Sequence, residues 1–162
     1  MKKILVGVDF SKNTSKVVDQ VALLARGLKA KVWIVHVTSD QLKTDICPTA
    51  QLYGFPIASI TPPISNIQMD RALCAEEYKR EHQVLLHLSE KLRQQGIEAQ
   101  AILMKGDAAE LILKQAEDFD VDMIVMGSHG HGLLRKILVG SVTEAVLRDA
   151  LCNVLIIPAP LE

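Results

Sequence analysis

Four residues near the end of the chain set a spacing with chemical consequence: Gly127, Gly130, Gly140 and Ser141, in the pattern G-x-x-G-x(9)-G-[ST]. They follow an apolar run, Val121 to Met126, and precede Val142-Thr143-Glu144, where a helix is expected to open. Glycines let backbone approach a ligand closely and can turn successive N–H groups into one concavity. A helix start adds unpaired N–H groups, expected at Gly140, Ser141 and Val142, and a dipole that favours negative charge. Each charge-assisted hydrogen bond to a phosphate contributes roughly 1.5–3 kcal/mol. The chemistry written here is anion binding. Asp9 is the second candidate, because it ends the first apolar run, Ile4 to Val8. At that place a carboxylate serves either as an acceptor for a sugar hydroxyl or base amine, or as a turn residue.

Other phosphate and catalytic signatures fail. G-x-x-x-x-G-K-[ST] and G-x-S-x-G are absent. Gly130-His131-Gly132 begins like G-x-G-x-x-G, but Arg135 stands at the last position, far from the first strand. His129 and His131 could exchange protons beside a phosphate. No partner that would orient either ring is visible, so they read as loop histidines that hydrogen-bond or meet solvent. Arg135 and Lys136 could touch a terminal phosphate, and as charged loop residues they read as solvated. His36 follows a strand register and reads as a packing or wall residue. His82 and His87, five apart on a helix, do not share a face as a metal pair would.

The elements that must position these residues follow from periodicity. Ile4–Val8, Lys31–Val37, 97–104, 121–126 and Val154–Ile157 read as strands, most of them continuous apolar runs buried on both faces. Val17, Val21, Leu24 and Leu28 mark a helix over about 13–29, capped by Ser11. A long helix over about 69–95 should bury Tyr78, Leu85, Leu88 and Leu92, with Gly96 at its C-cap. Asp107/Glu110 and Ser141/Glu144 read as capping boxes, opening helices to about Asp118 and Ala150. Buried strands alternating with helices predict an α/β fold, a parallel sheet with helices on both faces, with ligands beyond the strand C-termini where strand order reverses.

Composition bounds the alternatives. The chain has 162 residues, 49% hydrophobic and 23% charged, with 18 Lys and Arg against 19 Asp and Glu. It fits one domain, over 1–160, and the balanced charge and 4% aromatic content argue against nucleic acid or an anionic membrane as partner. Leu161-Glu162 reads as a tag remnant. The apolar run after Met1-Lys2-Lys3 is too short for a signal peptide, and no run reaches transmembrane length. Cys47, Cys74 and Cys152 are widely spaced and read as reduced thiols of a cytoplasmic protein, with Cys152 in the core and Cys47 in a loop. The segment at about 38–68, with Pro48, Pro56, Pro62 and Pro63 among apolar residues, reads as an insertion packing over the site or a partner, or as disorder.

Taken together, ILVGVDFS, VWIVHV, KGDAAELI, DMIVMGSHG, GSVTEAVL and NVLIIPAP resemble the universal stress protein family, in its ATP-binding branch, over nearly the whole chain. The resemblance implies a Rossmann-like three-layer sandwich with a five-stranded parallel sheet in the order 3-2-1-4-5. It implies that Asp9 holds the ribose or adenine side, that Gly7, Val8 and Val35, His36 and Val37 wall the adenine, and that Met126 and Gly127 lie against the adenosine. Gly130, Gly140, Ser141 and Val142 would bind phosphates, with His129 and Thr143 completing the set. The ligand would be ATP, or AMP, ADP or a cyclic nucleotide, with magnesium or manganese held by the phosphates. The final strand, 153–157, would pair across a two-fold axis in a homodimer. The expected role is a nucleotide-dependent stress regulator acting through an unknown protein partner, with at most weak ATP hydrolysis. The competing roles are a slow hydrolase or phosphotransfer protein using Ser128, His129, Ser141 or Thr143, and a nucleotide-free interaction module.

Overall fold

The computed structural model describes residues 1–38, 64–128 and 140–159. In chain order these form β1 (Lys3–Gly7), α1 (Thr14–Leu28), β2 (Lys31–Thr38), α2 (Ile64–Arg93), β3 (Ala99–Lys105), α3 (Ala108–Asp118), β4 (Met123–Gly127), α4 (Ser141–Asp149) and β5 (Asn153–Ile157). The strands make one parallel sheet in the order β3-β2-β1-β4-β5. Strand order reverses between β1 and β4, so their C-terminal ends flank the crevice where such sheets bind ligands.

Two apolar layers explain why the strands are apolar without interruption. Ile4, Val6 and Val8 face one side with Val32 and Ile34, against Val17, Val18 and Val21 of α1 and Leu85 and Leu92 of α2. Leu5, Trp33 and Val35 face the other, against Ile112 and Ala116 of α3 and Val146 of α4. Alternate residues of one strand therefore enter opposite cores, and neither set can be polar without a buried partner. Gly7 sits on the second side where space runs out. A Cβ there would stand 3.3 Å from Ile112 Cδ1 and 3.5 Å from Met126 Cε.

Several local expectations are corrected. Ser11 does not cap α1. Asp9 Oδ1 accepts from the Ser11 N–H (3.0 Å), and the Ser11 carbonyl accepts from the Thr14 N–H (3.0 Å), so a carboxylate-led turn occupies 9–13 and the helix begins at Thr14. Tyr78 is 41% exposed, whereas Leu85 and Leu92 are fully buried. A helix of 30 residues is about 45 Å long, longer than the strands it covers, and among its described side chains the stripe is buried at Leu85 and Leu92 and not at Tyr78. The helix also starts at Ile64, earlier than the expected 69. Of the expected insertion at about 38–68, Thr38 belongs to β2 and 64–68 to α2, and 39–63 lies outside the described residues, Cys47 included. Asp107 caps α3 by accepting from the Glu110 N–H (2.9 Å). At α4 the N-cap is Gly140, in an extended conformation with no side-chain cap, and Ser141 is the first helical residue. Cys152 is half-buried beside the second layer, and burial pushes its thiol up from the ordinary value.

Candidate functional site

The fold gathers the C-terminal ends of β1, β2 and β4 and the N-terminus of α4 at one edge of the sheet. Gly7 pairs with Val35, and the Val8 N–H continues the ladder to the Val35 carbonyl at 2.9 Å. Val6 pairs with Val125, one step before Gly7 and Met126. Gly7, Val8, Asp9, Val35, His36, Val37, Met126, Gly127 and Gly140 to Thr143 thus come from neighbouring strand ends and the helix between β4 and β5. His129 and Gly130 lie outside the described residues, as do His131, Gly132, Arg135 and Lys136.

The N-terminus of α4 carries open donors. The carbonyl of Gly140 accepts from the Glu144 N–H (2.8 Å), which closes the first turn. The Gly140 N–H, expected to be free, instead donates to the Ser128 carbonyl at 2.8 Å. No described residue accepts from the backbone N–H groups of Ser141, Val142 or Thr143. Among the described residues, three successive donors therefore have no acceptor at the positive end of a helix dipole, one residue later than expected. Two hydroxyls weighed as phosphate acceptors have structural tasks. Thr143 is buried, and its Oγ1 donates to the Gly127 carbonyl (3.1 Å). Ser128 is buried, and its Oγ accepts from the Ala159 N–H (3.0 Å). Ser141 is exposed at the helix start.

Asp9 has one oxygen in use. Oδ1 takes the Ser11 N–H and, at 3.4 Å, the Thr14 hydroxyl. Its turn role and a ligand role are therefore compatible, since a carboxylate has further lone pairs on Oδ2. Phe10 follows with φ +55°, a region a bulky side chain rarely adopts. Its ring lies 4.1 Å from that of His36.

His36 is more than a wall. Its Nδ1 lies 2.7 Å from the Val8 carbonyl, which can only accept, so Nδ1 carries the proton. Its Nε2 lies 3.6 Å from Glu81 Oε1, on α2. The other carboxylate oxygen, Glu81 Oε2, is buried without a hydrogen-bond partner among the described residues, as is Oδ1 of Asn13 before α1. Sequence reading had no signal for Glu81, which stands in a charged stretch, EEYKREH, indistinguishable from a solvated helix face. Asn13 and Phe10 were equally silent.

The comparisons with known proteins converge. The sequence profile of the universal stress protein family matches residues 1–46 and 59–158. The chain belongs to the universal stress protein family. Universal stress protein YxiE of Bacillus subtilis is 31% identical over 156 residues, covering 96% of this chain and 97% of that protein. Universal stress protein MJ0577 of Methanocaldococcus jannaschii is 31% identical over 159 residues, covering 96% and 94%. The solved structure of MJ0577 superposes with a TM-score of 0.76 at 26% identity, covering 99% of this chain and 98% of that one. Two further family structures share the fold: a universal stress protein in complex with cAMP (TM-score 0.62, 18% identity, 97% and 96% covered) and one from Archaeoglobus fulgidus in complex with dAMP (TM-score 0.58, 21%, 96% and 97%). The five-stranded order inferred from resemblance is the order observed. Among the described residues, no helix is long and apolar enough to cross a membrane.

Proposed function

We propose that this chain binds an adenine nucleotide, ATP in the first instance, at the C-terminal edge of its sheet and acts as a nucleotide-dependent regulator in a stress response. The observation that carries the reading is the row of N–H groups at Ser141, Val142 and Thr143 with no acceptor among the described residues, at the head of the helix that follows β4, the strand next to β1 and Asp9. Phosphate oxygens would accept from those three donors, with the Ser141 hydroxyl as a fourth. Gly140 would contribute the absence of a side chain, and Gly130 and His129 would flank the phosphates. Asp9 would accept from ribose or base through its second oxygen. Gly7, Val8, Val35, His36 and Val37 would wall the adenine, and Met126 and Gly127 would meet the adenosine. Magnesium or manganese would be carried by the phosphates and water. Relatives crystallised with cAMP and dAMP support the adenosine half of the site and leave the phosphate number open.

The same reading takes the protein to be cytoplasmic and homodimeric through β5. That strand is a sheet edge with Val154, Leu155 and Ile156 only partly buried, the kind of edge that pairs or must be covered. A regulator of this sort needs a protein partner that reads one nucleotide state. A hydrolase reading is weaker, because the Ser128 and Thr143 hydroxyls are already tied to backbone groups. Native mass spectrometry of the purified protein, with release and identification of any bound small molecule, tests the reading. A dimer carrying stoichiometric adenine nucleotide is expected. An empty protein that also ignores added ATP and magnesium would contradict it.

A further inference from the structure

Ser128 is a junction. Its N–H donates to the Ile157 carbonyl (2.9 Å), its carbonyl accepts from the Gly140 N–H (2.8 Å), and its hydroxyl accepts from the Ala159 N–H (3.0 Å). One buried residue thus joins the end of β4, the N-cap of α4 and the stretch after β5. That stretch is held from a third side. Asn13 Nδ2 donates to the same Ile157 carbonyl (3.4 Å), and Lys16 Nζ donates to the Pro158 carbonyl (2.8 Å). The sequence is built for this. In Pro158-Ala159-Pro160 the prolines have no N–H, so Ala159 offers the stretch's one backbone donor, and it goes to Ser128. Proline on either side also restricts the backbone to extended conformations, so little freedom remains to be lost on docking.

We propose that Ile157–Ala159 is a strap that positions the phosphate-facing end of α4 through Ser128, so that holding or releasing the strap tunes nucleotide affinity. The proposal rests on the nucleotide reading above and names its regulation. The path is short: strap to Ser128 hydroxyl, Ser128 carbonyl to Gly140 N–H, Gly140 to the open donors at Ser141, Val142 and Thr143. Ser128 is a positioning residue here, acting through Gly140. Linkage requires the reverse effect as well: a phosphate held at the head of α4 should protect the strap.

Two variants cut the same bond from opposite sides. Ser128→Ala removes the acceptor, and Ala159→Pro removes the donor from the half-buried side of the bond. Affinities for ATP and for adenosine, which has no phosphates, are measured by calorimetry on the full chain. Each variant should weaken ATP roughly 3- to 10-fold, the effect of one ordinary hydrogen bond, and leave adenosine unchanged. The double variant should be no weaker than Ser128→Ala alone, since Ala159→Pro deletes a bond that Ser128→Ala has already removed. Equal losses for ATP and adenosine, or losses that multiply in the double variant, would overturn the proposal. If wild-type protein binds neither ligand, the nucleotide reading fails by itself. Hydrogen exchange at the Gly140 amide then decides the coupling: faster exchange in both variants upholds it, and unchanged exchange refutes it.

Discussion

The two ends of the sheet are finished in opposite ways. At the N-terminal end, polar groups find partners. Lys2 Nζ meets Asp122 Oδ1 at 2.7 Å, the Lys3 N–H donates to Asp122 Oδ2 at 2.8 Å, and Lys3 Nζ donates to the Phe119 carbonyl at 2.8 Å. Lys31 pairs with Glu98 at 2.6 Å, and Arg93 Nε donates to the Ala99 carbonyl at 2.8 Å. The hydrogen bond from Lys2, then that from the Lys3 backbone, hold the Asp122 carboxyl below its ordinary 3.8. A shallow cavity of about 350 Å³ lies at this end, lined by residues such as Arg26, Lys29 and Glu98, and it contains no buried unpartnered side-chain atom among the described residues. At the C-terminal end the pattern reverses. Among the described residues, three N–H groups of α4 have no acceptor, and Asn13 Oδ1 and Glu81 Oε2 are buried without partners. A buried polar group without a partner costs about 1–3 kcal/mol. One end is arranged for stability, and the other keeps unsatisfied groups that a ligand or water can satisfy.

The comparison can be broken most severely at Ser141. Gly140 has φ −71° and ψ 156°, a conformation that a following proline accepts, and proline is favoured at the first helical position. Ser141→Pro should therefore keep the fold while removing one N–H and one hydroxyl. ATP affinity should fall by at least roughly 10- to 150-fold, since each of the two lost donors is equivalent to a charge-assisted bond of about 1.5–3 kcal/mol, with little change in melting temperature. Calorimetric titration and a thermal melt read the two quantities separately. A large loss of stability with affinity retained would remove the phosphate role from α4.

Asp9→Ala comes next, because Asp9 belongs to both descriptions. Loss of the acceptor for Ser11 and Thr14 should cost about 1–2 kcal/mol, which for a domain of this length lowers Tm by about 2–8 °C. ATP and adenosine affinities should fall together, since this contact lies on the ribose or base side. Loss of stability alone would leave Asp9 as a turn residue only.

The N-terminal end should respond weakly. Glu98→Gln removes an exposed ion pair and should change stability by less than about 1 kcal/mol, with nucleotide affinity unchanged. At Asp122 the effect is a pH dependence. Its carboxyl is lower in the folded state than in the unfolded state, so its stabilisation is present above the ordinary carboxylate value and lost as pH falls through the folded one. Asp122→Asn should melt below wild type at neutral pH and converge with it as pH drops below 3.8. A constant gap across acid pH would assign the difference to packing.

The sequence made the frame legible for a physical reason. Ile4–Val8 and Lys31–Val37 are apolar at every step because both faces are buried, so parallel strands and helical crossovers followed directly. The glycine spacing and Asp9 were legible as a motif; Gly127 ends β4, Asp9 follows β1 and Gly140 caps α4, while Gly130 lies outside the described residues. What stayed hidden depends on distance in the chain. Ser128 meets Ala159 across 31 residues, and His36 meets Glu81 from another element, and no local pattern encodes either contact. The Gly140 N–H was expected to be free because a helix start alone cannot disclose that a strand-end carbonyl accepts it. Tyr78 was placed on a buried stripe because periodicity gives the face of a helix and not where the sheet beneath it ends.

The most direct test of the account is a titration of isotope-labelled protein followed through backbone amide resonances, with ATP in one series and adenosine in the other. ATP should shift the amides of Ser141, Val142 and Thr143 together with those of Val8 and Val37, while adenosine shifts the strand-end amides and leaves the three α4 amides in place. Shifts confined to the opposite end of the sheet, around Arg26, Lys29 and Gly96, or α4 amides that move equally with adenosine, would contradict the assignment of phosphate binding to the head of α4.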